Sequence, residues 1–187
     1  MSAQKQAVLD AIDAANANDP NQDDGRPAAL LYGERMSAEL DRLFPDASDA
    51  LQIAARGQHV ERWKLARSEY PEGRVGYLSW RKAQGEHHAD VVMGLMTREG
   101  YDAEQVEAAG RMLRKKGIKR DAEVQALEDV ICFVFLKWYF QPFAAKHSAE
   151  KIQSIVEKTA RKMSPEGRAR VLSEFDLPDH LAAAFQN

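Results

Sequence analysis

The chain has 187 residues, 44% of them hydrophobic and 29% charged, with a formal net charge of −3. That size and balance suit one ordinary globular domain, residues 1–187, with enough length to bury a core unaided. The single cysteine, Cys132, excludes an intramolecular disulfide and any multi-cysteine metal site.

Glycine and proline are sparse and fall between segments of helical period. Ala3 to Ala17 carries Val8, Leu9 and Ile12 at helical spacing. Asp19 to Arg26 reads as a polar turn. Pro27 opens a stripe of Leu30, Leu31, Met36, Leu40 and Leu43, which Pro45 ends. Ser48 predicts an N-cap for a helix from Asp49 to about Lys64. Ser68 to Gly76 reads as a loop, Tyr77 to Arg98 as the next helix, and Ala103 to about Lys116 as another. Gly117 then reads as a left-handed C′ residue. Asp121 can cap a long helix through the apolar run to about Phe140, with Val130 to Leu136 buried at the centre. Ser148 and Ser164 predict two further caps, the second followed by Pro165 at the first helical position, and Pro178 opens a tail helix. No segment keeps a two-residue period long enough to predict a strand. The expectation is all-α: a single compact bundle of about seven to nine helices.

Location follows from what the sequence lacks. The opening stretch, MSAQKQAVLDAIDAAN, has no basic region followed by an apolar run, so no signal peptide is expected. No apolar stretch approaches the ~20 residues of a bilayer span. A cytoplasmic protein that does not enter the membrane is expected. The acidic net charge argues against nonspecific nucleic-acid binding, although residues 111 to 120 contain six basic side chains and one acid only follows at Asp121.

Two motifs fail on inspection. Asp19 to Gly25 is rich in acids, but a calcium loop needs glycine at its sixth position and a bidentate glutamate at its twelfth, where Asp24 and Leu30 stand. Lys162-Met163-Ser164 is similar to the lysine loop of a class I aminoacyl-tRNA synthetase, but no strands are present to build the sheet that chemistry requires. Gly-rich phosphate loops, His-Glu-x-x-His pairs and nucleophile elbows are absent from the sequence.

What remains is a polar and aromatic centre between Arg56 and Asp129. His59 lies beside Arg62 and Trp63. Arg67, Tyr70, Tyr77, Trp80 and Arg81 follow, so arginines and two of the three tryptophans flank one loop. Such pairing points to stacking or to an anion. His88 can share a helical face with Arg81, while His87 points about 100° away. Gln125 and Asp129 share a face just before the apolar run, and acids placed there need partners. His147 and His180 fall at expected loop and tail positions, outside this centre.

These residues resemble the family named domain of unknown function 4202 over nearly the whole chain, from Ala11 to Ser164. The most specific stretches are Gln58-His59-Val60-Glu61-Arg62-Trp63, Gly76-Tyr77-Leu78-Ser79-Trp80-Arg81, and Gln125-Ala126-Leu127-Glu128-Asp129-Val130 with Cys132 to Leu136. The family usually reads Pro-Arg at Ala66-Arg67 and Phe-His at His87-His88, which makes His88 the family-like histidine. The resemblance implies a helical fold. A more distant likeness is to HD-type phosphohydrolases, which hold a divalent metal with a His, a His-Asp doublet and a final Asp. The order here would be His59, His88 and Asp129, without the doublet, and an HD-like arrangement of the bundle is compatible with it.

Two functions are compatible with these residues. In an enzyme, His59, His88 and Asp129 would hold a divalent metal ion that activates water, with Glu128 and Asp129 as the catalytic pair. Arg62, Arg67, Arg81 and Lys116 would neutralise a small anionic substrate, phosphorylated or nucleotide-like, while Trp63 and Trp80 wall the pocket. In a non-catalytic module, the same cluster binds an anionic ligand or a protein partner, and His59, His88 and Asp129 form a structural polar network.

Overall fold

Ser2 starts the first helix by accepting the Lys5 N–H on its hydroxyl, and α1 (Ala3–Asn16) then buries Val8 and Ile12. The computed structural model describes residues 2–186. Contacts divide it into two compact units, Met1–Lys116 and Gly117–Asn187. Ten α-helices are described, one above the expected range, because a π turn divides the long helix after Asp121. None is long and apolar enough to cross a membrane.

In the first unit, the acidic run after α1 forms a small antiparallel hairpin, β1 (Gln22–Asp23) with β2 (Arg26–Pro27). Asp24 and Gly25 both have positive φ, as a two-residue hairpin turn demands. Its carboxylates are satisfied internally. Arg35 bridges Asp23 and Asp24 at 2.7 Å each, and Asp19 accepts the backbone N–H groups of Asn21 and Ala29. α2 (Ala28–Leu43) lays Ala29, Tyr32, Met36 and Leu40 in one buried stripe.

Ser48 caps α3 (Asp49–Arg56), which is shorter than the expected run to Lys64. Two features mark its end. Gly57 is seated so tightly that an added Cβ would lie 2.5 Å from Val92 Cγ2. Beyond it, Glu61 adopts left-handed φ and donates its N–H to the buried Asn16 side chain. His59, Arg62 and Trp63 therefore stand on turns, not on a helix. Two short 3-10 turns follow, Arg62–Lys64 and Arg67–Glu69.

α4 (Gly73–Arg98) begins four residues before the expected start at Tyr77. Gly76 makes this early start feasible, since any Cβ there would collide with Pro71 O. Asp102 caps α5 (Ala103–Leu113), which packs on α3 and α4. The end of α5 differs from expectation. Lys115 and not Gly117 takes the left-handed C′ position. The Lys116 N–H reaches Arg111 O and the Lys115 N–H reaches Met112 O, the two bonds of a Schellman ending. Gly117 has φ +108 but serves the next turn, where its carbonyl accepts the Arg120 and Asp121 N–H groups.

In the second unit, Asp121 caps α6 (Ala122–Val134) by accepting the Glu123 and Val124 N–H groups. Val130, Phe133 and Val134 are wholly buried, as the apolar run predicts. Over Phe135–Tyr139 the ladder widens to a π turn, in which the Phe140 N–H reaches back to Phe135 O. Pro142, within α7 (Phe140–Ala144), has no N–H to donate, so an unbroken α ladder could not continue there. Ser148 caps α8 (Ala149–Lys162), and Ser164 caps α9 (Pro165–Glu174) with Pro165 in its first turn. α10 (Asp179–Ala182) and a 3-10 turn close the unit by burying Leu181 and Phe185.

Candidate functional site

The first unit assembles its polar centre along one face of α4. Trp80, Gln84 and His88 are spaced four apart and project together. Each binds a carbonyl of the irregular segment after α3. Trp80 Nε1 donates to Leu65 O at 2.9 Å. Gln84 Nε2 donates to Arg62 O at 2.9 Å and to Leu65 O at 3.0 Å. His88 Nδ1 lies 2.8 Å from Val60 O. A carbonyl only accepts, so Nδ1 carries the proton and the neutral ring keeps its lone pair on Nε2. That nitrogen is buried and has no partner. His59, on the turn opposite, stacks on Tyr32 at 3.6 Å and lies 6.2 Å from the His88 ring.

The charges around these rings are positive. The His88 pKa is lowered to about 3, first by burial and then by Arg62, His87 and Arg81, against the opposing bond to Val60. His59 falls well below the ordinary histidine range, first through burial and then through Arg62, His88, Arg81 and Lys115. Both rings are neutral at physiological pH. Arg62 is itself depressed by burial and by Arg81. Its guanidinium lies over the Trp80 ring at 4.7 Å, and Arg81 donates to the Tyr77 hydroxyl at 3.2 Å. Among the described residues neither arginine has a carboxylate partner. Two half-buried cations, Arg81 near enough to lower the pKa of Arg62, are thus left without a counter-charge among the described residues.

The other residues expected in the first unit contribute less. Trp63 is half-buried beside this cluster in sequence. Arg67 donates to Tyr70 O at 2.9 Å and closes its own 3-10 turn. Lys116 is exposed at the end of the Schellman motif. His87 is half-buried with Nε2 3.5 Å from Glu61. His147 and His180 are exposed, as expected for peripheral positions. Sequence reasoning missed Gln58, Gln84 and Tyr32. Gln84 was within reach, because it stands midway between Trp80 and His88 on the same helical face.

The carboxylates belong to the second unit. Asp129 Oδ1 accepts the Ser164 N–H at 2.9 Å and Gln125 Nε2 at 3.0 Å, while Oδ2 accepts the Ser164 hydroxyl at 2.5 Å. The side chain is pressed against Gly167, where an added Cβ would lie 2.9 Å from the carboxylate. Burial raises the Asp129 pKa, against the lowering effect of these hydrogen bonds and of Lys119. Glu128 is also buried, with Lys162 Nζ 3.6 Å from it. The sequence stretches around Gln125 to Val130 and Lys162 to Ser164 thus meet inside one unit.

Among the described residues, no three His, Cys, Asp or Glu side chains come together as they would around a metal ion. His88 has the form of a single ligand, with its Nδ1 oriented by a carbonyl and its Nε2 open. Its charged neighbours are arginines, which favour an anion over a cation.

The fold and these residues define an all-α protein whose first unit carries a histidine–arginine–tryptophan centre. The family model described as Domain of unknown function (DUF4202) matches residues 6–184, and the chain belongs to that family. No curated protein and no solved structure matches the chain.

Proposed function

We propose that the first unit binds a small anionic molecule, phosphorylated or nucleotide-like, against Arg62 and Arg81, with His59 and His88 beside them. The unneutralised arginine pair carries this reading. A half-buried cation costs free energy unless paired, and two of them side by side cost more. A bound anion supplies the missing charge. Trp80 keeps the Arg62 guanidinium in place and Tyr77 holds Arg81, so little ordering remains to be done on binding.

The finer reading is hydrolysis of that anion assisted by a divalent metal, for which the sequence offers His59 and His88 in the first unit and Asp129 with Glu128 in the second. It rests on the order of these residues in the sequence. The donor set around His88 suits an anion better than a cation, so no catalytic step is derived through a metal. The non-catalytic reading, a module that binds the anion, agrees with the full use of the Asp129 oxygens in hydrogen bonds.

Titration calorimetry with inorganic phosphate, pyrophosphate and adenosine monophosphate tests the proposal. Arg81→Gln should weaken binding by about tenfold or more, the loss of one charge-assisted contact. The same substitution should leave the unliganded protein as stable as before or slightly more stable, because it relieves Arg62. Absence of binding by all three anions would remove the proposal. Release of phosphate that requires Mn²⁺ or Mg²⁺ and is abolished by a chelator would establish the hydrolase form.

A further inference from the structure

Beside the arginines lies a second feature of opposite character: buried acceptors with nothing to accept. His88 Nε2 and Gln84 Oε1 are both without a hydrogen-bond partner, and both residues are 2% exposed. Their roles are fixed by their other ends. His88 Nδ1 must donate to Val60 O, which leaves Nε2 as an acceptor. Gln84 Nε2 donates to two carbonyls, which leaves Oε1 as an acceptor. Gln58, buried on the same segment, has an unpartnered amide oxygen as well. Buried acceptors are nearly always paired, so a group of them marks a place meant for donors.

A bare anion such as phosphate or sulfate offers these atoms nothing when fully ionised. It would satisfy Arg62 and Arg81 and leave the acceptors unpaired. We infer that the ligand is a phosphate monoester whose organic part carries hydroxyl or amino donors, with its phosphate at Arg62 and Arg81 and its donors at His88 Nε2 and Gln84 Oε1. A sugar phosphate and a nucleotide share this chemistry. The inference rests on the anion reading above and deepens it. Both acceptors lie beneath the segment from Val60 to Leu65, which α4 holds through the Trp80, Gln84 and His88 side chains.

The test compares ribose 5-phosphate, adenosine monophosphate and butyl phosphate by titration calorimetry on the full chain. The three carry the same phosphate, but butyl phosphate has no donor on its organic part. Ribose 5-phosphate or adenosine monophosphate should bind roughly tenfold tighter than butyl phosphate. The stronger of the two identifies the source. His88→Asn keeps a donor near the Nδ1 position for Val60 O and deletes the Nε2 acceptor. It should reduce that preference to about twofold or less. Should His88→Asn fail to fold, 2-deoxyribose 5-phosphate and further deoxygenated phosphates on the unaltered chain give the same reading, with affinity falling stepwise as donors are removed. Equal affinity for butyl phosphate and ribose 5-phosphate would overturn the inference while leaving the anion site intact. Failure of every phosphate to bind would instead overturn the anion site itself.

Discussion

The Asp129 carboxylate completes the cap of the helix that Ser164 begins. Ser164 Oγ accepts the Gly167 N–H at 2.9 Å, and the same hydroxyl donates to Asp129 Oδ2 at 2.5 Å. A buried acid placed at a helix N-terminus is favoured by the helix dipole as well as by its hydrogen bonds. This arrangement explains why an aspartate precedes the apolar run of α6 without any reference to catalysis.

Asp129→Asn should therefore act as a structural lesion. With its NH₂ in the Oδ2 position the amide donates to Ser164 Oγ, so the buried cap loses its charged acceptor and the Ser164 hydroxyl loses the bond it donates. A destabilisation of about 2–3 kcal/mol is expected, equal with and without chelator, in urea denaturation of the full chain. A loss seen only when metal is present would instead support the metal-site reading.

Stability should fall in acid through His88. Its folded pKa of about 3 lies below the ordinary value of 6.5. The neutral ring is the one the fold accepts, so this contribution is fully present above pH 6.5 and is lost as the pH falls toward 3. Across that window His88 alone contributes a slope of about 1.4 kcal/mol per pH unit, and His59 adds to it in the same direction. His88→Asn, which cannot titrate, should flatten the slope measured by denaturation at a series of pH values.

Val134→Asp should prevent folding of the second unit. Val134 is wholly buried on α6, and an isolated carboxylate there costs several kcal/mol before any repacking. Circular dichroism and a thermal melt decide the matter, and a cooperative, soluble variant would contradict this placement of the helix.

Gly117→Val should cost about 1–2 kcal/mol. The backbone there has φ +108, and an added Cβ would lie 3.2 Å from Asp121 Cβ. The reason differs from a helix C-cap. The glycine shapes the turn that delivers Asp121 to its cap of α6, so protection of the Glu123 and Val124 amides from hydrogen exchange should fall together with stability.

Helix positions were legible because their causes are local. Ser48, Ser148, Ser164 and Asp121 cap within three residues of themselves, and apolar periodicity marked Val130 to Val134 as buried whatever the rest of the chain did. Helix ends were less legible where distant residues decide them. After α3, Gly57 sits where Val92 leaves no room for a side chain, and Glu61 takes its left-handed turn with help from Asn16. Lys115 holds a position that local preference assigns to glycine. The same limit applies to the site. Residue type and spacing singled out His59, Arg62, Trp80, Arg81 and His88 as a group. Only the tertiary structure decided that Val60 O fixes the His88 tautomer, that Gln84 joins the group, and that among the described residues no acid neutralises the arginines. Those facts depend on which backbone carbonyl and which side chain arrive from elsewhere in the chain, and composition and period carry no record of them.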